Sequence, residues 1–579
     1  MNLFRVWAAV PKKVELQLNG KVFPMTRDEN DWWSVEIPEA KTGDNYGFIL
    51  DGAGPFPDPR SSLQPDGVHK SSRLVNQQVF SWTDKSFQAP PLVSAIIYEL
   101  HLGTFTPQGT FLSAIERLEH LASLGVTHVE LMPVIEYSGN HGWGYDGVDL
   151  FAPHHALGTP DELKKLVDAC HARGLAVILD VVYNHIGPSG NYLSKFAPYF
   201  TKKFASAWGE GINFDGPDSG EVRRFFCDNA LMWLRDFHID GLRLDAVHGI
   251  VDTSATHFLE QLKIEVEKLS VQLGRYLVLI PESDLNDPRL LWSRERGGFQ
   301  LDAQWSDDFH HALHTVLTGE RDGYYSDFGS ISNIAKALRH AFVYDGQYSP
   351  HRRRIHGCSV DGLSGHRFLG YLQNHDQIGN RAGGERSSHL MNQKKLKIGA
   401  ALVLTAPFLP MLFQGEEWGA STPFFYFTDY QEPELAKAVR EGRCREFAAF
   451  GWKPEDTADP QARETFERSK LKWDEIAKSP HAEILDWHKK LIQLRRSEPD
   501  LCDGELKKVH TTHDDQNRWL VVERGSISIV CNFSDRSHRI PVGVGEHRIL
   551  ISSEAGMNVA DGFANFPAES VAVLKQAKT

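Results

Sequence analysis

The 579-residue sequence predicts an α/β protein in which a parallel (β/α)8 barrel is flanked by an N-terminal and a C-terminal β-sandwich. Three observations carry this prediction. From about residue 94, eight short apolar runs alternate with amphipathic helical segments, the pattern of strands buried on both faces and joined by helical crossovers. Before residue 90 and after residue 500, apolar and polar residues instead alternate one by one, as in half-buried antiparallel strands. The chain is also too long for a single core.

Residues 1–90 read as an immunoglobulin-like sandwich: Val14, Leu16 and Leu18 alternate up to the turn pair Asn19-Gly20, and Trp33, Val35 and Ile37 alternate beyond it. The segment SFQAPPLVS is a linker. Residues 91–500 form the barrel, its strands carried by AIIYELHLGTF, HVELMPV, AVILDVVYNH, GLRLDAV, YLVLIPESD, LDAQWSDDF, FLGYLQNHDQ and LPMLFQGEE. Between the second and third, Thr159 caps a helix begun by Pro160 and ended at Gly174 after Arg173. A short insertion, 186–228, follows the third strand and another, 418–480, the eighth. Residues 501–579, with WLVVERG, ISIVCNF and ESVAVLK, form the second sandwich, packed on the barrel.

Lys and Arg number 62 against 76 Asp and Glu, a formal charge of -14, which repels nucleic acid and suits a neutral ligand. MNLFRVWAAVPKK does not read as a signal peptide, and no apolar stretch approaches a membrane span, so a cytoplasmic protein without a membrane partner is expected. The six cysteines are scattered without a Cys-x-x-Cys pair, which predicts free thiols and neither a zinc site nor a disulfide framework.

GLRLDAVH, residues 241–248, carries the first chemical signal, because Arg243 and Asp245 share one face of an otherwise apolar strand. Such a pair is either a satisfied ion pair that sets register or a catalytic carboxylate with its charge partner. Other strands also end in polar residues: Asp180, Asn184 and His185; Glu282, Ser283 and Asp284; Asn374, His375 and Asp376; Glu416 and Glu417. The carboxyl ends of barrel strands form one rim, where active sites sit. Three carboxylates from separate strands, Asp245, Glu282 and Asp376, suit glycosidic bond cleavage, which needs an acid, a nucleophile and a charge stabiliser. Arg243 favours an anionic Asp245, while Glu282 after apolar YLVLIP is placed to keep its proton. A catalytic metal is the competing reading, with DVVYNH as its nearest motif; an arginine on the same face disfavours a cation, so neither metal nor cofactor is expected. Trp143 and Tyr145 lie among glycines in NHGWGYDGVDLF, where bulky rings have little structural purpose and suit the apolar face of a sugar.

Taken together, DVVYNH (180–185), GLRLDAVH (241–248), PESD (281–284) and NHDQ (374–377) resemble, in order, the four strand-end motifs of the α-amylase superfamily, glycoside hydrolase family thirteen. The resemblance implies that Asp245 is the nucleophile of a retaining mechanism, Glu282 the acid/base and Asp376 the transition-state stabiliser. It further implies that Arg243 orients Asp245, that His185 and His375 hold hydroxyls of the sugar being cleaved, and that Tyr145 stacks beneath it. The N-terminal sandwich would be of the carbohydrate-binding-module kind.

Within the superfamily, the segment QGEEWGASTPFFYFTDYQEPELAKAVREGRCREFAAF resembles a branch that hydrolyses the α-1,4 bond next to the terminal trehalose of maltooligosyltrehalose. The implied products are trehalose and a maltooligosaccharide, and the substrate would come from a maltooligosyltrehalose synthase. Many amylases follow the nucleophile strand with Lys-His; here His248-Gly249 stands, so the leaving-group site is built differently, with His248 a candidate contact. Loop position alone suggests Glu417, Trp418 and Asp429 as trehalose contacts. Asn184 matches a calcium ligand of many amylases, but the region 186 to about 228 is short for the remaining ligands. The rival readings are a glucan branching or debranching enzyme of the same superfamily and a non-catalytic glycan-binding protein on a barrel that has lost activity.

Overall fold

The computed structural model describes residues 3–206, 209–448 and 457–577. Parts of four expected segments lie outside the described residues: 1–2 of the N-terminal sandwich, 578–579 of the C-terminal sandwich, 207–208 of the insertion after the third strand, and 449–456 of that after the eighth.

All eight predicted barrel strands are present: β1 (Ile97–Leu100), β2 (His128–Leu131), β3 (Ala176–Val181), β4 (Gly241–Leu244), β5 (Val278–Pro281), β6 (Gln304–Trp305), β7 (Phe368–Gly370) and β8 (Leu409–Phe413). They form one parallel sheet in the order β5-β4-β3-β2-β1-β8-β7-β6. At the seam between β5 and β6, Asp302 N–H donates to Leu279 O at 2.9 Å and Leu279 N–H returns a bond of 2.7 Å to the Asp302 carboxylate.

Alternation along each strand positions the chemistry. The inward residues are apolar at the bottom of the barrel, where Ile97, Ile178, Val278, Ile280, Trp305, Leu369 and Met411 pack together. One step higher on the same face stand Glu99 above Ile97, Asp180 above Ile178 and Glu282 above Ile280. Outward residues such as Tyr98, Leu179, Leu242 and Leu244 pack in the larger core shared with the helices.

The helices include α1 (Pro160–His171), α2 (Ser219–Asp236), α3 (Phe258–Leu273), α4 (Asp307–Thr318), α5 (Gln393–Thr405), α6 (Pro433–Ala448) and α7 (His481–Ser497). Thr159 caps α1 in a capping box with Glu162; its last helical residue is His171, and Gly174 (φ 73°) turns the chain towards β3. The sixth strand is shorter than LDAQWSDDF suggests. Asp307 and Asp308 open α4 instead, where acidic side chains complement the helix N-terminus.

In the N-terminal sandwich, Asn19 (φ 46°) and Gly20 (φ 81°) make the tight turn that the sequence indicates. One of its sheets joins Leu3–Trp7, Trp32–Glu36 and Thr26–Arg27; the other is built from Lys21–Pro24, Val14–Leu18, Asn45–Leu50 and Ala53–Phe56. After residue 508 a five-stranded and a three-stranded sheet enclose Val521, Val530, Ile540, Phe566 and Leu574. Buried Arg524 latches this domain to the barrel, donating to the carbonyls of Thr405 (2.6 Å) and Ala406 (2.9 Å) at the end of α5. Among the described residues, no helix is long and apolar enough to cross a membrane. All six cysteines are unpaired.

Candidate active site

The residue that organises the barrel mouth is Arg243, fully buried on the inner face of β4. Register pairs it with Asp180 on β3, and its Nη1 donates to Asp180 Oδ2 (2.7 Å) and Asp245 Oδ1 (2.9 Å). Its Nη2 lies 3.5 Å from Glu282 Oε2, and the guanidinium rests over the Trp305 ring at 4.3 Å. Burial works against this charge, but Asp180, Tyr145, Asp245 and Glu282 outweigh it and hold Arg243 well above its ordinary pKa. Burial also pushes Asp180 up to about 7, against the pull of Arg243.

Asp245 follows β4 directly and is held from a second side by Asn184, whose amide nitrogen donates to the Asp245 carbonyl (2.7 Å) and to Oδ2 (2.8 Å). The other end of that amide meets His185 Nδ1, so Asn184 ties His185 to Asp245. After Asp245 the backbone turns sharply at Ala246, which has φ 37°, a left-handed conformation unusual for alanine. That turn aims the Ala246 N–H at Glu282 Oε2, 2.7 Å away. Burial, reinforced by Asp245 and Asp376 and only partly offset by Arg243, raises Glu282 above the usual glutamate range.

The floor beside the carboxylates is aromatic and charged. The Tyr145 hydroxyl donates to Asp180 Oδ2 (2.7 Å) and accepts from His375 Nε2 (2.7 Å), and the two rings stack with centroids 5.2 Å apart. His375 Nδ1 donates to Glu99 Oε1 at 2.5 Å. Burial disfavours the imidazolium, but Asp376 and Glu99 push His375 up to about 9, consistent with both ring nitrogens donating. Asp376 sits in the short helix His375–Gly379, capped by Asn374, and its side chain is 44% exposed. His185 Nε2 donates to the Tyr145 carbonyl (3.0 Å).

These groups line one cavity of about 620 Å³. Of the residues singled out from sequence, Trp143, Tyr145, His185, Asp245, His248, Glu282, His375 and Asp376 lie on it, and Arg243 lies beneath. Trp143 is itself buried; it stacks on Phe424 and meets the Tyr426 ring edge-on at 5.1 Å.

Three expected contacts are elsewhere. Glu417 has no exposed surface and is bound by Tyr98 Oη (3.0 Å) and His120 Nε2 (2.8 Å) in the helix layer. Trp418 is equally buried, packs on Trp473 and donates to Glu475 (3.1 Å). The cause is local: Gly415 (φ 82°) and Gly419 (φ 64°) turn the chain after β8 away from the mouth, so Glu416 and Glu417 do not join the rim carboxylates. Asp429 accepts the Asn140 N–H (2.8 Å) and secures the loop carrying Trp143 and Tyr145 instead of lining the cavity.

Glu99, which the sequence did not single out, and Asp180 and Asn184, read from sequence only as polar strand-end residues with Asn184 also matching an amylase calcium ligand, support the site from below. Further residues were not singled out by sequence. Asp146, Asn380, Tyr426, Val439, Gly442 and Arg443 complete the lining, the last three from α6.

A model of the alpha-amylase catalytic domain matches residues 75–208, and one of a domain of unknown function, DUF3459, matches residues 504–573. The malto-oligosyltrehalose trehalohydrolase of Mycobacterium tuberculosis is 47% identical over 584 residues, covering 100% of both chains. That of Arthrobacter ramosus is 48% identical over 553 residues, 95% of each chain. The crystal structure of a putative alpha amylase from Salmonella typhimurium matches with a TM-score of 0.91 and 37% identity, covering 99% of this chain and 97% of that one. Full-length identity at this level, on a barrel with this arrangement of carboxylates, means that the chain belongs to the malto-oligosyltrehalose trehalohydrolases of the alpha-amylase family.

Proposed function

We propose that the cavity hydrolyses the α-1,4-glucosidic bond next to the terminal trehalose unit of maltooligosyltrehalose with retention, releasing trehalose and a maltooligosaccharide. The observation that carries the reaction is that one buried guanidinium, Arg243, bridges Asp245 and Glu282 while Asp376 opens on the same cavity. Asp245 attacks the anomeric carbon as Glu282 gives its proton to the departing trehalose oxygen. Water deprotonated by the same Glu282 then displaces Asp245, which restores both groups. Asp376 stabilises the oxocarbenium-like centre, and Tyr145, stacked on His375, supports the ring being cleaved. We place the reaction in the cytoplasm, after a maltooligosyltrehalose synthase that supplies the capped chain.

Incubation with maltotriosyltrehalose and, separately, with maltopentaose tests the reading by chromatography of released sugars. Trehalose plus maltotriose from the first, with little change in the second, is the expected result. Equal attack on both, or transfer into branches without new reducing ends, would return the protein to a broader glucan hydrolase or a branching enzyme. No turnover of any glucan would leave a binding protein.

The raised pKa of Glu282 fixes the form of the pH profile. A general acid must carry its proton in the free enzyme, so kcat/KM is expected to persist above the ordinary glutamate pKa of 4.5 and to fall as pH rises through the elevated value. Glu282→Gln should abolish that alkaline limb along with most of the rate. An unchanged limb in the residual activity would assign the proton to another group.

A further inference from the structure

Among the described residues, one group of His, Cys, Asp and Glu side chains offers three possible ligand atoms within 4.8 Å of one another: Glu136, His154 and His155. None of them lines the cavity. They stand at the stem of the loop that reaches it. Ile135–Glu136 pairs antiparallel with Asp149–Pro153, Glu136 opposite Asp149, and between these two short strands the chain runs out through Trp143 and Tyr145 and back. Glu136 ends the outgoing strand, and His154 and His155 follow the returning one, so the ligand atoms come from both sides of the stem.

Two imidazoles and a carboxylate make a donor set suited to a divalent transition ion. A tetrahedral ion about 2.0–2.1 Å from each ligand holds them about 3.3 Å apart. His155 Nδ1 is 2.8 Å from Glu136 Oε1, so a small opening of this contact would admit the ion in place of the shared proton. His154 is fully buried, its ring stacked on Tyr137 at 3.8 Å and 4.6 Å from the His155 ring, which keeps the two imidazoles side by side. The His155 side chain is 22% exposed, which leaves a way in, while that of Glu136 has no exposed surface. Asp149 supplies the independent observation. It is buried opposite Glu136, and its Oδ2 has no hydrogen-bond partner. Residues opposite one another in an antiparallel pair share a face, so two buried carboxylates meet at the stem, and among the described residues neither pairs with a lysine or arginine. Buried charge of one sign calls for a cation.

We propose that Glu136, His154 and His155 bind one divalent transition ion of the zinc type, which clasps the stem of the loop carrying Trp143 and Tyr145, with Asp149 beside it as a further negative charge. The site is structural and stands apart from the reaction proposed above. Calcium and magnesium, which take oxygen ligands, do not suit it. The rim itself, with Arg243 at its centre, still disfavours a cation.

The full chain, without an affinity tag and stripped with a chelator, is titrated with Zn²⁺ by calorimetry and with Co²⁺ by absorption spectroscopy. One ion per chain is expected, with a Co²⁺ ligand-field spectrum of nitrogen and oxygen ligands and no thiolate charge-transfer band, which separates the site from capture by the free cysteines. His155→Asn keeps an N–H donor close to where Nδ1 meets Glu136 but removes the ligand nitrogen, and it should weaken binding by about 100-fold or more. Asp149→Asn, which removes only the neighbouring charge, should weaken it by about tenfold. At a Zn²⁺ concentration ten times the dissociation constant, amide exchange within 137–148 should slow by about tenfold in the wild type and stay unchanged in His155→Asn, because opening the stem must release the ion. His154→Gln decides the matter if His155→Asn does not fold. No bound ion in the wild type, equal affinity in wild type and the ligand variants, or a thiolate band would overturn the site and leave Glu136 and His155 as a closed ion pair. Binding that leaves exchange in the loop unchanged would overturn its role as a clasp.

Discussion

Asp245→Asn is expected to lower kcat by about 10⁴-fold or more on maltotriosyltrehalose, with a melting temperature close to wild type. The expectation rests on what the substitution leaves in place. The amide has nearly the shape of the carboxylate, and Arg243 keeps its 2.7 Å bond to Asp180, so the buried cation is not stranded. Asn184 retains its 2.7 Å bond to the backbone carbonyl of residue 245, which holds the strand end in position. What disappears is the group able to form the covalent glycosyl bond. Trehalose release by chromatography and thermal unfolding followed by circular dichroism give the two readings. A rate within tenfold of wild type would remove Asp245 as nucleophile, and a large fall in melting temperature would show that the carboxylate is chiefly a structural counter-ion.

That separation answers the ambiguity in GLRLDAVH, where an ion pair and a catalytic carboxylate look alike in sequence. In the structure Arg243 serves both descriptions, because it pairs with Asp180 below the mouth and with Asp245 and Glu282 at it. The barrel was legible because its strands are apolar on both faces and stop at polar residues, a consequence of burial between an inner core and a helix layer. The residues on the cavity were legible where they end such strands. Local backbone geometry was not: nothing in Asp-Ala-Val announces that Ala246 adopts a left-handed conformation and turns its N–H onto Glu282. Loops were the least legible part. Glu417 follows β8 as closely as His248 follows β4, yet two left-handed glycines send it and Trp418 into the helix layer. Arg443 lies on a helix, 30 residues beyond the end of β8, where only the tertiary path brings it to the mouth.

Arg243→Met is expected to affect stability as severely as activity. Methionine fills much of the arginine's volume, so the packing against Trp305 is partly kept and the loss is mainly electrostatic. Asp180 and Asp245 lose their ion-pair partner and Glu282 loses the cation 3.5 Å away, in a site where Asp180 is 1% and Glu282 15% exposed. Breaking a buried ion pair by removing one member costs about 3–5 kcal/mol. The sign of the pH dependence follows. Burial already holds Asp180 and Glu282 above their ordinary values, and without the cation it raises them further, so the folded variant holds still more protons than the unfolded chain. Its stability should therefore be greatest in acid and decline as pH rises through those elevated values, widening the gap to wild type between about pH 5 and pH 8. Denaturant unfolding at both ends of that range measures the gap. An equal gap at pH 5 and pH 8 would mean that Arg243 stabilises the barrel through packing alone, and the three carboxylates would then need another explanation for sitting together. Activity should be lost at every pH where the variant remains folded, since Asp245 and Glu282 would no longer be bridged by a common donor.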